Sequence, residues 1–296
     1  MENLIVESNK GKPMTVVPVF SGGGTRLLAH IGILQAIEEL DINFDHVVGV
    51  SGGSIVSSLY ASGMPLEEIK QLAFQTDFNQ FKDFSLLRLL KDGGLSSGAK
   101  FEQWIDQRLE GRTFKDMDID FHVLATDVNG GGPVVFNKTN SPDLKVSRAV
   151  RFSMSIPLVF SFQAFQQHIL VDGAILAEDA LFRDWSGEGT PVLCFRLKSE
   201  QEANQQFKRS FFSLKAYVLM LIKTFMDAIS REYVHAEHWH NTIVVNTGKS
   251  SSVDFNMSLA QKEALFQAGY TTALSFIPKK LVLPDQSITP SHLSMH

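Results

Sequence analysis

Three short segments hold residues able to do acyl chemistry. The first is Gly49-Val50-Ser51-Gly52-Gly53, a G-x-S-x-G pattern between a β-branched run and a helical one. At a strand-to-helix corner this pattern lifts a serine hydroxyl clear of the sheet, and only small neighbours fit the turn. Gly49 and Gly53 meet that need, and the Gly52 amide faces the same point as an oxyanion donor. The second is Ser21-Gly22-Gly23-Gly24-Thr25-Arg26, also between a strand and a helix. The amides of Gly22, Gly23 and Gly24 can turn inward as an anion nest. No nucleotide pattern fits: Arg26 and Leu27 stand where a P-loop needs Lys and Ser/Thr, and Leu27 takes the third glycine of G-x-G-x-x-G. Amides beside a nucleophile form an oxyanion hole, where one donor is worth roughly 10²–10³ in rate. Arg26 would add a positive charge near the helix start, the alternative being a structural arginine. The third is Val171-Asp172-Gly173-Ala174. A strand-end carboxylate with small neighbours can accept the proton of an attacking serine. Alone, Asp-Gly is an ordinary turn; its weight comes from the other two segments.

These groups need a sheet to hold them. Met14–Phe20 and His46–Val50 read as buried strands, and Thr25–Leu40 has apolar residues at helical spacing (Leu27, Ile31, Leu34, Ile37). A second helix is expected to open with Ile55–Ala61. Phe121–Asp127, Ile169–Asp172, Val192–Leu197 and Thr242–Asn246 read as later strands, Gln206–Trp239 and Leu259–Ile277 as long helices, and Asn129–Pro133 as a hairpin or broad turn. The β-α alternation predicts an α/β fold of three layers, α/β/α, with a mostly parallel central sheet. One domain is expected over about residues 14–280, with a loose tail over 281–296. The glycine run and Ser51 then share one βαβ unit and emerge at one sheet edge, where such sheets bind ligands.

Composition narrows the function. The 296 residues carry 27 basic and 32 acidic side chains, net −5, which argues against nucleic acid as a partner. Cys194 is the single cysteine, so no intrachain disulfide forms and a reducing compartment is expected. The N-terminus lacks the basic and apolar regions of a Sec signal. The longest apolar run, Ala216–Ile222, has seven residues, against about 20 for a spanning helix. The expected location is the cytoplasm, with peripheral contact at a membrane left open.

Taken together, the three segments resemble the patatin-like phospholipases, the bacterial branch in particular. In that family a Gly-Gly-Gly-x-Arg-Gly loop forms the oxyanion hole, matched here by Gly22, Gly23, Gly24 and Arg26. A G-x-S-x-G serine and the aspartate of Asp-Gly-Gly or Asp-Gly-Ala form a dyad, matched by Ser51 and by Asp172 with Gly173 and Ala174. Ala29–Leu34, Ala149–Pro157, Asp254-Phe255 and Gly269-Tyr270 extend the resemblance over roughly 14–278. Leu27 departs from it, standing at the loop's final glycine. The resemblance implies hydrolysis of phospholipid or lysophospholipid acyl esters through an acyl-serine, with no metal or cofactor and with an unknown activator as an open partner. The alternatives are an acyltransferase, disfavoured because Val50 stands where such enzymes carry His, and a catalytically inactive lipid-binding module.

Other residues receive quieter readings. His235, His238 and His240 could suggest a metal site or a Ser-Asp-His triad, but no carboxylate completes the first and the dyad fits better than the second. His30 is expected to pack or bond locally. The stretch from Glu202 to Asp227 holds Lys208, Arg209, Lys215 and Lys223 among many aromatic and aliphatic residues, a membrane-surface pattern or a core helix with a basic face. Phe74, Phe78, Phe81 and Phe84, with the leucines at 86, 87, 89 and 90, suggest a lid or an acyl-chain wall.

Overall fold

The computed structural model describes residues 14–81, 83–200, 217, 220–222, 224 and 236–282. Its sheet has eight strands. Seven run in the order β10 (Thr242–Asn246), β9 (Val192–Lys198), β1 (Val17–Ser21), β2 (His46–Val50), β4 (Asp120–Asp127), β8 (His168–Val171), β7 (Gln163–Phe165); β5 (Gly132–Phe136) pairs with β4. The pairs from β10 across to β4 are parallel, whereas β4–β5, β4–β8 and β7–β8 are antiparallel. The turn expected at 129–133 is the β4–β5 hairpin, with Asp127 opposite Gly132.

Side chains alternate across the sheet. Phe121, Val123 and Ala125 face the larger core, and Leu124 faces the smaller one with Val48, Val50 and Trp185. The larger core is covered by α1 (Leu28–Glu39), α2 (Gly52–Ala61), α3 (Leu66–Gln75), α5 (Ala99–Arg108), α6 (Val146–Ser153) and α7 (Leu259–Val282). The other face carries the short 3₁₀ helices Gly173–Ile175 and Glu178–Ala180. α1 and α7 touch backbone to backbone: a Cβ on Gly32 would lie 2.1 Å from the Phe266 carbonyl oxygen, and one on Gly269 only 1.9 Å from that of Ala29. This contact is the physical content of the Gly269-Tyr270 similarity. α4 (Leu86–Asp92) leads into β3 (Gly94–Ser96), which pairs in parallel with β6 (Leu158–Phe160) outside the main sheet.

Several boundaries move. The first strand starts at Val17, and residues 24–27 form a 3₁₀ turn before α1 begins at Leu28. The second helix starts at Gly52, immediately after Ser51. Most of the helix expected over 206–239 lies outside the described residues; Ala236–Asn241 is a 3₁₀ turn, so Trp239 does not continue it. The expected tail beyond 282 also lies outside them.

One topological detail positions the site. Along β4, residues 120–124 pair with β2, and Thr126 and Asp127 pair with β8. β5 overlaps both partners in register, so β2 and β8 share the same edge of β4. β2 runs parallel to β4 and β8 antiparallel, so the two strands point at each other. β2 ends at Val50, opposite Leu124, and β8 ends at Val171, opposite Thr126. The next residues are Ser51 and Asp172. The sequence pattern places the carboxylate at the end of one more strand in a mostly parallel sheet; in the structure it arrives head-on.

Candidate active site

Every glycine of the three segments except Gly22 is held by a close contact. A Cβ on Gly53 would lie 2.1 Å from the Phe20 carbonyl oxygen, on Gly49 2.5 Å from Ser54 Cα, and on Gly173 2.1 Å from the Leu124 carbonyl oxygen. Ser51 at this corner has φ 53° and ψ −129°, a left-handed conformation rare for a side-chain-bearing residue. Its amide donates to Ser153 Oγ at 2.8 Å, from the end of α6.

Ser51 Oγ donates to Asp172 Oδ2 at 2.7 Å, and Asp172 Oδ1 accepts the Ala174 amide at 2.9 Å. Both side chains are buried. Burial raises the Asp172 carboxyl to about 6, while the bonds from Ser51 and Ala174 oppose the rise. Segment 153–155 touches both residues: besides Ser153, Met154 Sδ lies 3.8 Å from Ser51 Oγ, and the Ser155 carbonyl accepts the Asp172 amide at 3.0 Å. Buried Arg151 braces this segment by donating to Ser155 Oγ and to the carbonyls of Ser97 and Ser161.

The glycine loop lies against the residues that flank Ser51. Gly22, Gly23 and Gly24 have φ 74°, 107° and 53°, a run only glycine adopts readily. A Cβ on Gly52 would lie 2.6 Å from the Gly24 nitrogen, so the loop rests on the start of α2. The Gly22 amide donates to the Val50 carbonyl at 3.1 Å, which removes it from the expected oxyanion donors. The Gly22 carbonyl in turn accepts the Gly53 amide and His30 Nε2. His30 stays neutral, its pKa lowered to about 4 by burial, and bonds locally as expected. Among the described residues, no protein acceptor meets the amides of Gly23, Gly24 and Gly52. These three remain able to hold an anion.

Arg26 sits within the glycine loop's own bonding. It is buried and donates to the Gly23 carbonyl and to Thr247 Oγ1, tying the loop to the segment before α7. Ser252 holds the same loop by accepting the Thr25 amide at 2.9 Å. Leu27 is helical at φ −52°, so its position does not call for glycine. Its side chain lines an apolar cavity, part of it open to solvent, together with Gly24, Ile55, Phe81, Met154 and Phe255. Phe78 and Phe81, from the stretch expected to wall an acyl chain, both contribute.

Of the three late histidines, His235 lies outside the described residues, and His238 stacks on Phe182 at 3.9 Å. A different cluster, absent from the sequence reading, gathers His46, Asp120 and His122 at the opposite ends of β2 and β4. It does not suit a metal. Asn137 Oδ1 accepts the amides of Thr139 and Asn140, so its amino group faces His122 Nδ1. The His122 proton is then on Nε2, the nitrogen facing His46, and Lys138 occupies Asp120 Oδ2.

A family model described as patatin-like phospholipase matches residues 19–181. The chain belongs to that family. Membership places it among lipid acyl hydrolases. YqhO of Bacillus subtilis is 28% identical over 281 residues, covering 86% of this chain and 96% of that one. The neuropathy target esterase of Drosophila grimshawi is 33% identical over 159 residues, 52% of this chain but 10% of that protein. VipD from Legionella pneumophila shares the fold at a TM-score of 0.62 and 15% identity, with 90% of this chain and 67% of that chain covered. The type III effector ExoU does so at 0.54 and 17%, over 92% of this chain and 54% of its own. Among the described residues, no helix is long and apolar enough to cross a membrane.

Proposed function

We propose that the protein is a serine lipid acyl hydrolase of the phospholipase A or lysophospholipase type, working through Ser51 and Asp172. The observation that carries this is the 2.7 Å bond from Ser51 Oγ to a buried carboxylate whose pKa is raised to about 6. A carboxylate so placed is ionised at neutral pH yet basic enough to take a hydroxyl proton. As Ser51 Oγ attacks the acyl carbonyl, its proton passes to Asp172 Oδ2. The amides of Gly23, Gly24 and Gly52 hold the oxyanion, and the fatty chain lies in the apolar cavity beside Met154. The intermediate collapses to an acyl-serine, and the proton on Asp172 goes to the departing alkoxide. A water then loses its proton to Asp172 and attacks the acyl carbon; as the acyl–Oγ bond breaks and the fatty acid leaves, the proton on Asp172 returns to Ser51 Oγ.

The test is fatty acid release from labelled phospholipid and lysophospholipid. Ser51→Ala and Asp172→Asn should each lower turnover by roughly 10⁴-fold with the fold retained. A fluorophosphonate should label Ser51 in the wild type. Turnover surviving in either variant would defeat the dyad.

A further inference from the structure

α4 is a short helix capped at both ends. Ser85 Oγ accepts the Arg88 amide, and Gly93 closes the helix at φ 70°. Leu87 and Leu90, three apart and so on one face, are 80% and 81% exposed. Phe162 is 45% exposed beside the helix end, where a Cβ on Gly93 would lie 3.1 Å from its ring. Exposed Leu87 and Leu90 on one face, with Phe162 at the helix end, form an outward apolar group of the kind that marks an interaction surface. The patch continues into the cavity wall. Phe84, just before α4, stands edge-on to Phe255, and β3, just after it, pairs with β6, whose Phe160 lines the cavity. Between Ser85 and Lys100 the charges are Arg88, which pairs with Asp83, and Lys91 and Lys100 against the single acidic Asp92, a small positive excess in a chain of net charge −5. Lys91 and Lys100 are exposed.

We propose that this face of α4 docks on an anionic phospholipid bilayer, with Leu87, Leu90 and Phe162 among the acyl chains and Lys91 and Lys100 at the headgroups. The proposal rests on the lipid hydrolase reading: the surface that grips the bilayer would sit beside the cavity that receives the chain. An apolar centre with a basic rim suits anionic lipid. A second copy of the chain would instead bring a like-charged patch against it.

The test is co-sedimentation of the full chain, as Ser51→Ala to keep the lipid intact, with vesicles of phosphatidylglycerol and phosphatidylcholine or of phosphatidylcholine alone. Leu87→Asp with Leu90→Asp should weaken partition onto the anionic vesicles by about tenfold or more. Lys91→Gln should weaken it by about fivefold, with little effect on neutral vesicles. Leu87→Ser with Leu90→Ser, milder at the surface, should move partition in the same direction. On the Ser51 background, turnover of a water-soluble short-chain ester should be unchanged by the leucine variants, because neither leucine lines the cavity. Vesicle binding that the leucine variants leave intact, or a dimer lost in them while vesicle binding persists, would overturn the docking surface. A wild type inert toward every ester that still binds vesicles through α4 would defeat the hydrolase reading alone.

Discussion

Replacing Asp172 by Asn should abolish hydrolysis and, above pH 6, stabilise the fold. Burial holds the Asp172 carboxyl at about 6 against an ordinary 3.8. That difference, about two units, corresponds to roughly 3 kcal/mol at about 1.4 kcal/mol per unit. The fold binds this proton more tightly than the unfolded chain does. The stability it supplies is therefore complete below pH 3.8 and lost as pH rises through about 6. At pH 8 the wild type carries a buried ionised carboxylate; the Asn variant carries a neutral amide in its place. That amide keeps an oxygen for the Ala174 N–H and turns its amino group to Ser51, leaving one N–H unpartnered at a cost of about 1 kcal/mol. The net gain at pH 8 is then roughly 2 kcal/mol, or about 5 °C in melting temperature. Near pH 4 the gain should vanish or reverse slightly. Thermal melts of both proteins at the two pH values, paired with fatty acid release, check this. An Asn variant melting no higher than wild type at pH 8, or by the same margin at both pH values, would refute the buried-charge reasoning.

The same carboxyl sets the pH dependence of turnover: kcat/KM should climb with pH through about 6, because the base must be ionised in the free enzyme. Ser153→Ala removes the acceptor of the Ser51 amide, and should lower kcat by about tenfold with KM little changed; Ser153→Thr, which keeps the hydroxyl, should restore it. Gly24→Ala would place a Cβ 2.1 Å from the Ser252 carbonyl oxygen at φ 53°, and should cost about 3 kcal/mol in a urea melt as well as activity. Lys262 is buried, and its Nζ donates to the carbonyls of Ala73, Phe74 and Thr76 at the end of α3. Lys262→Met should destabilise the fold by about 3 kcal/mol, because three carbonyls lose a charged donor together; an unchanged melt would show that water replaces it.

What the sequence revealed of the site follows from how each part is held. A glycine forced by a close contact or a positive φ is visible wherever it falls, because no other residue fits. Gly49, Gly53 and Gly173 each face a backbone or Cα atom within 2.5 Å of where a Cβ would stand, and Gly22–Gly24 need left-handed backbone. The two glycine-rich segments could therefore be picked out, whereas Asp172 took its weight from standing with them. The sequence did not show which amides remain open, because the loss of Gly22 as a donor depends on a bond to Val50, in the neighbouring strand. Nor did it show the head-on meeting of β2 and β8, since strand direction leaves no mark on the apolar pattern of a four-residue strand. Ser153 was hidden for a related reason. It meets Ser51 across 102 residues of chain, and nothing in Phe152-Ser153-Met154 distinguishes a hydroxyl that accepts an amide from one that merely fills space. Even so, Ser153 holds the strained corner by its nitrogen while Asp172 holds its hydroxyl, and the two grips act on opposite ends of the same residue. If the amide were released, Ser51 could relax toward ordinary φ and its Oγ would swing away from Asp172 Oδ2. The Thr substitution separates this account from simple packing: a hydroxyl at position 153 should restore kcat even where the added methyl lowers the melting temperature.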